Sequence, residues 1–425
     1  LIGNKFDNKN LFAGRSIMSK SVAILGCMDS KGEEYGYIKR HIEKTGIKTI
    51  LIDVGVIGEP VIKPDITNIE VALSAGEDLI SLKSNNPTRE KISPIMAQGA
   101  KNIVLKLIDE GKIQGIISCG GTQGTTLATF VMRSLPIGFP KVMVSTMAAG
   151  NTASLVGIKD IVMIPSVADI MGLNRISRII LAEAAGAISG MVRVEAEKVE
   201  GQGKQIIAIT TVGITTPGAM KAKEVFTENG FDTIVFHAVG SGGNAMENLI
   251  REGHIDGLFD LATIEVIQQM LGGYLAASHE RMTAATELGI PQVIAPGAVT
   301  CNTFGPPETI PEKFRGRQIA IHSAMFTNVR TNAKELQELA VEQAKRVNPA
   351  KGPIEWFIPM KGFCSYSIEG GPLCCPEADK IYVDTLKKSL RKDIPVFIRD
   401  TDINDPGFVT EMAEHLIKMM KLKQV

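Results

Sequence analysis

The chain has 425 residues, with 46 Lys and Arg against 46 Asp and Glu, 44% apolar residues and 22% charged ones. That length supports two or three domains, each with its own core, and that composition excludes wholesale disorder. Balanced charge argues against a protein devoted to neutralising a nucleic-acid backbone or an anionic membrane, so neither partner is expected.

Residues 1–17 lack the apolar stretch of a signal peptide and read as a vector or upstream extension outside the fold. Met18 precedes a first buried strand at 22–25, followed by a polar loop and a helix at 33–44 with Tyr37, Ile38, His41 and Ile42 on one side. A second strand, 49–54, carries Asp53 near its end. Residues 55–86 are Pro-containing and of mixed character, and the pattern assigns them no element. Strands follow at 115–118, 142–144 and 161–164, then a buried helix at 172–192 rich in Ala, Gly, Ile and Leu.

Charge and glycine interrupt the apolar pattern at 195–204, which places a boundary between an N-terminal subdomain, 18–198, and a C-terminal one, 204–425. The second half has strands at 206–209, 233–236, 257–261, 292–295, 355–358 and 396–398, and a helix at 331–347. Short continuous apolar runs alternating with helices predict an α/β class, with parallel sheets covered by helices in two halves of paired architecture. No run of 18 apolar residues predicts a transmembrane helix. Six cysteines without disulfide-framework or zinc spacing point to a reducing, cytoplasmic compartment and to buried thiols.

Three loops carry possible chemistry. After the strand at 115–118 come Gly120, Gly121, Thr122, Gln123, Gly124, Thr125 and Thr126. Glycines let the backbone approach an anion, and the N–H groups of a helix start point at it. No Lys-Ser/Thr follows, so this is not a Walker A sequence. Phosphate or carboxylate binding and a tight turn with capping threonines both fit.

Gly240, Gly242 and Gly243 belong to a G-x-G-x-x-A pattern after a strand, with Asp260 twenty residues beyond Gly240, as in dinucleotide-binding units. A close strand–helix turn fits equally. Glu247 in the following helix reads as a cap, a metal ligand or a catalytic carboxylate. His237 ends the preceding strand as a structural residue or a general acid–base. The third loop holds Asp29 and Lys31. Lys31 suits a phosphate and a catalytic charge-stabilising role, and Asp29 a metal or a sugar hydroxyl, against a solvated, helix-capping loop. Asp53 is a further ribose candidate.

The stretches GCMDSKGEE, GGTQGTT, PSVADIMGLN, GITTPG, VFHAVGSGGNAME and FGPPETIP occur in one order along the chain. With them the sequence resembles the ATP-binding family of the plant tomato mosaic virus resistance protein and its bacterial relatives, from about residue 21 to the C-terminus. Cys27 and Ser30 depart from the family's threonines, and Gln123 occupies a usually small position. The resemblance implies two Rossmann-like subdomains, ATP with Mg2+, and a homodimer, with Asp29, Lys31 and residues 120–126 as nucleotide contacts. The resulting expectation is two Rossmann-like parallel-sheet subdomains with a ligand cleft between them, where ATP-dependent phosphoryl or acyl transfer to a small anionic metabolite takes place. A nucleotide-switched protein-binding module and an NAD-type enzyme built on the second glycine loop are the alternatives.

Overall fold

The computed structural model describes residues 20–84, 89–195 and 203–422. The expected extension at 1–17 and most of the 195–204 boundary lie outside the described residues. The described chain falls into two compact units, 20–195 and 203–422.

The N-terminal unit contains β1 (Ser21–Gly26), β2 (Lys48–Asp53), β3 (Gly115–Gly120), β4 (Lys141–Ser145) and β5 (Val162–Pro165). All pair in parallel, in the order β2-β1-β3-β4-β5. β1, β3 and β4 are buried along their whole length, which is why their sequences read as unbroken apolar runs. Helices Gly32–Lys44 and Arg175–Met191 pack on one face, against Val22, Ile24, Ile117 and Val144. Helices Asn68–Ser74, Arg89–Asp109 and Thr122–Arg133 pack on the other, against Ala23, Leu25, Ile116 and Met143. The segment 55–86, without an assignment from sequence, contains helices Asn68–Ser74 and Leu79–Ser84.

The C-terminal unit contains β6 (Ile206–Thr211), β7 (Asp232–His237), β8 (Gly257–Ala262), β9 (Gln292–Gly297), β10 (Cys301–Phe304), β11 (Ile319–Ser323), β12 (Phe326–Arg330), β13 (Ile354–Pro359) and β14 (Val396–Arg399). Six of them form a parallel sheet in the order β14-β13-β9-β8-β6-β7. Counted within the unit, this repeats the N-terminal order and adds one strand. The α/β class with two Rossmann-like parallel sheets is therefore what the chain adopts. An antiparallel sheet, β10-β12-β11, is added to the second unit; its polar strands carry no continuous apolar run and escaped the sequence reading.

A buried ionic cluster ties the second unit together. The fully buried Arg281 donates to Asp260 of β8 from Nη1 (2.7 Å) and Nη2 (2.6 Å), and to Glu265 from Nε (2.7 Å). Asp260 also accepts from Thr210 of β6 at 2.7 Å. Glu247 lies 3.5 Å from Arg281 and accepts from the N–H groups of Met282 (2.6 Å), Thr283 (3.3 Å) and Ala284 (2.8 Å). Two site expectations change here. Glu247 is a cap, but for the helix Ala284–Leu288 and not for its own, and its oxygens are committed to the backbone. Asp260 is buried against a guanidinium and is not presented to a ribose.

Three carboxylates face one guanidinium out of water. Burial raises the pKa of Glu247 and Glu265 above the ordinary carboxylate value, against the opposing pull of Arg281. Replacing Arg281 by Met leaves those charges uncompensated and should cost roughly 3–5 kcal/mol. The single tryptophan, Trp356, is buried in β13 of this unit, so urea unfolding followed by its fluorescence reads the loss. A carboxyl whose folded pKa is raised loses stability as pH rises above the unfolded value. The R281M midpoint should therefore rise as pH falls from about 7 toward 5.

Candidate functional site

The first crossovers of the N-terminal sheet go to opposite faces: the helix after β1 covers one side, the helix after β3 the other. An open α/β sheet with this order leaves a crevice at the carboxyl ends of those two strands. The ladder between β1 and β3 runs from Val22↔Gly115 to Ile24↔Ile117 and stops. Beyond it the buried Tyr35 ring lies between the strand ends, and its hydroxyl donates to the Cys119 carbonyl. Gly26 must be bare, because a Cβ there would meet the Tyr35 ring at 1.8 Å.

A cavity of about 420 Å³ opens at this place, within the range of small-molecule sites. Leu25, Val54, Val56, Met96, Leu127 and Ala128 give it an apolar interior, while Asp29, Lys31, Gly121 and Thr122 supply polar wall. Gly121 is the N-cap of helix Thr122–Arg133 and brings no side chain to cap it. A Cβ on Gly121 would have Thr146 Oγ1 as its nearest neighbour, at 3.9 Å, so the space before the helix start is open. A second, more open cavity of about 590 Å³ shares Gly121 and Thr122 and is bounded by Ser145, Thr146, Ser166 and Asp169. Val167, also on its wall, is 78% exposed and holds φ at 62°, a strained value for a β-branched residue.

The sequence candidates divide at this crevice. Lys31 lines the cavity and its Nζ donates to the Ile170 carbonyl; an ammonium has further donors to give. Asp29 accepts from Ile57 N–H (2.8 Å) and Gly58 N–H (3.2 Å) through Oδ2, and its buried Oδ1 has no hydrogen-bond partner. Gly120 packs against the helix start, where its Cβ would lie 3.2 Å from the Gly124 Cα.

Other candidates turn inward. Thr125 is buried and bonds to Ser145 (2.7 Å) and to the Gly120 carbonyl (3.2 Å). The Thr126 hydroxyl returns to the Thr122 carbonyl at 2.9 Å. Asp53 is 1% exposed; its Oδ1 ties the Met28 and Gly55 N–H groups at 2.9 and 2.8 Å, and burial raises its pKa. It braces the crevice wall in place of reaching a ribose. Cys119, on the cavity floor, has its thiol pushed up to about 12 by burial, which removes a nucleophilic role at neutral pH.

The second glycine loop is filled from within. Glu265 Oε1 accepts from Gly240 N–H (2.6 Å) and Gly243 N–H (3.0 Å), taking the donors that an external anion would need. A Cβ on Gly243 would fall 2.0 Å from Glu265 Oε2, and one on Gly242 would fall 1.9 Å from the His237 carbonyl oxygen. These glycines serve close packing. With Asp260 held by Arg281, the NAD-type reading loses both of its carriers. His237 is exposed at the end of the edge strand β7, apart from the N-terminal crevice in sequence and unit.

Family models cover both units: "Uncharacterised protein family (UPF0261) N-terminal domain" matches residues 20–197, and the C-terminal domain of the same family matches 204–420. The chain belongs to the UPF0261 family. A UPF0261 protein of Clostridium tetani is 45% identical over 95% of this chain and 100% of its own length. The ToMV resistance protein Tm-1(GCR237) of Solanum lycopersicum is 36% identical over 76% of this chain, which spans 44% of that protein. A crystal structure of a UDP-N-acetylglucosamine 2-epimerase from Listeria monocytogenes, described as putative, aligns with 94% of this chain and 96% of its own at 12% identity and a TM-score of 0.25, too weak a superposition to bear on chemistry.

The filled loop makes a direct prediction. Gly242→Ala drives a methyl into a backbone carbonyl and should destabilise the C-terminal unit by roughly 1–3 kcal/mol. Trp356 fluorescence in urea measures it. A variant as stable as the parent would show that the loop has room to spare.

Proposed function

We propose that this protein binds Mg-ATP in the crevice between β1 and β3 of its N-terminal unit. The observation that carries the reading is the glycine N-cap, Gly121, of helix Thr122–Arg133, which brings no side chain to the helix start and opens onto a cavity that is apolar inside and flanked by Lys31. An apolar slot suits a purine, and N–H groups with an ammonium suit its phosphates. The resemblance of GCMDSKGEE and GGTQGTT to the ATP-binding family's motifs supports the same residues.

Magnesium would enter with the phosphates, as it does where one or two carboxylates and substrate oxygens suffice. Among the described residues no three His, Cys, Asp or Glu side chains gather into a metal cage. Asp29, with its unpartnered buried oxygen, is the residue that would meet the ion or its water. Bound there, the ion would neutralise charge on the phosphate oxygens.

The adjoining open cavity supports transfer to a small acceptor. It meets the nucleotide cavity at Gly121 and Thr122, where the phosphate end would lie, so an acceptor seated there would lie beside the reacting group. Lys31 and the helix N–H groups would then stabilise charge developing on the transferred oxygens.

Gly121→Val places side chain in the open space of the cradle, and Lys31→Ala removes the ammonium. Each should weaken Mg-ATP by about ten- to a hundredfold in calorimetry, the value of a charge-assisted hydrogen bond. Gly121→Val should change folding stability by only about 1 kcal/mol, since its site is a helix cap with room around it. Unaltered affinity in both variants removes the cradle.

A further inference from the structure

Two thiols in the C-terminal unit stand apart from the site above. Cys301 opens β10 and Cys364 lies in the loop after β13; both are fully buried, and their Sγ atoms are 3.8 Å apart. Cys364 is the better served of the two. The Thr300 hydroxyl lies 3.5 Å from its sulfur, against 3.8 Å from that of Cys301, and the Ser367 hydroxyl lies 3.5 Å from it on the other side. Ser367 is itself fixed by accepting the N–H groups of Phe363 (3.0 Å) and Cys364 (3.1 Å).

A cation completes the setting. Arg330 stands directly across the ladder from Cys301. It is nine-tenths buried, with Nη2 bonded to Asp379 (2.5 Å) and to the Cys375 carbonyl (3.1 Å), while Nε and Nη1 have no partner among the described residues. The hydrogen bond from Cys301 lowers the Cys364 pKa most; burial opposes it, and Thr300 and Ser367 add to the lowering. Cys119 is equally buried without the Cys301, Thr300 and Ser367 partners, and its thiol moves the other way. In the same loop as Cys364, Ser365, Glu369 and Gly370 are exposed. Local opening of one loop is enough to admit a small oxidant.

We propose that Cys364 and Cys301 form an oxidisable dithiol, with Cys364 the attacking sulfur, Cys301 the resolving one, and a hydroperoxide as oxidant. The Cys364 thiolate attacks the distal peroxide oxygen; the O–O bond breaks and the alkoxide leaves, taking one proton to become an alcohol (water, from hydrogen peroxide). Cys364 is then a sulfenic acid. The Cys301 sulfur attacks that sulfur, the S–O bond breaks, and the hydroxide leaves as water with the Cys301 proton. Two thiols and one hydroperoxide give one disulfide, one alcohol and one water. The disulfide joins the start of β10 to the loop after β13, after a closure of less than about 2 Å between sulfurs.

The reduced full chain, freed of reductant and treated with hydrogen peroxide, tests this by alkylation with iodoacetamide after denaturation and peptide mass spectrometry. The expected result is loss of two hydrogens and a Cys301–Cys364 cross-linked peptide that reductant reverses, with Cys119 alkylated throughout. In Cys301→Ser, dimedone should label Cys364; in Cys364→Ser, Cys301 should stay a thiol. The wild-type cross-link is read without any variant, so a folding failure in either serine variant leaves the test intact. Oxidation confined to Cys27, Cys374 and Cys375, or dimedone labelling of Cys301 in Cys364→Ser, overturns the proposal.

Discussion

The N-terminal site depends on the parting of two buried strands. β1 and β3 share a ladder for only three residue pairs, and their following helices leave for opposite faces of the sheet. No side chain on either strand can close the gap this opens, because each face is already occupied by its own layer of helix. Tyr35 fills only the floor, and it spends its hydroxyl on the Cys119 carbonyl that the ladder no longer holds. What remains above is a walled space at the helix start of Thr122–Arg133. The cavity and the helix start with its glycine N-cap meet there as a consequence of topology, and Lys31 lines the same space.

The same parting occurs in the second unit with the opposite outcome. β6 and β8 pair from Ile207↔Gly257 to Ile209↔Phe259, and their helices again take opposite faces. Here the space beyond the ladder is occupied: Thr210 accepts the Ala262 N–H at 3.0 Å and donates to Asp260, which holds Arg281. A polar cluster fully paired within the protein takes the place that the N-terminal unit leaves open. Two units of one topology thus differ in what fills the switch point.

Much of the fold was legible because the strands are buried on both faces. β1, β3, β4, β6, β8, β9 and β13 each appeared as an apolar run inside the strand and one or two residues shorter than it, and helices Gly32–Lys44 and Ala333–Val347 as periodic patterns within one or two residues of their ends. The antiparallel β10, β11 and β12 were not legible. Their strands include Asn302, Thr303, His322, Asn328 and Arg330, whose burial or exposure is set by contacts from distant elements and leaves no alternating signal.

The two glycine loops show where local reading of a site reaches its limit. Both are strand–glycine–helix turns, and both promise free amides by sequence alone. What separates them lies partly elsewhere in the chain: Glu265, 25 residues after Gly240, caps one loop, while Gly121 brings no side chain of its own to the other helix start. The glycines themselves record the difference once their surroundings are known. Gly242 and Gly243 lack a Cβ because protein atoms stand within about 2 Å of where it would be. Gly121 lacks one although the nearest atom to that position, Thr146 Oγ1, is 3.9 Å away and its φ of −76° is open to any residue. Neither packing nor backbone conformation demands glycine there; what its missing side chain leaves is room for a group to approach the helix start.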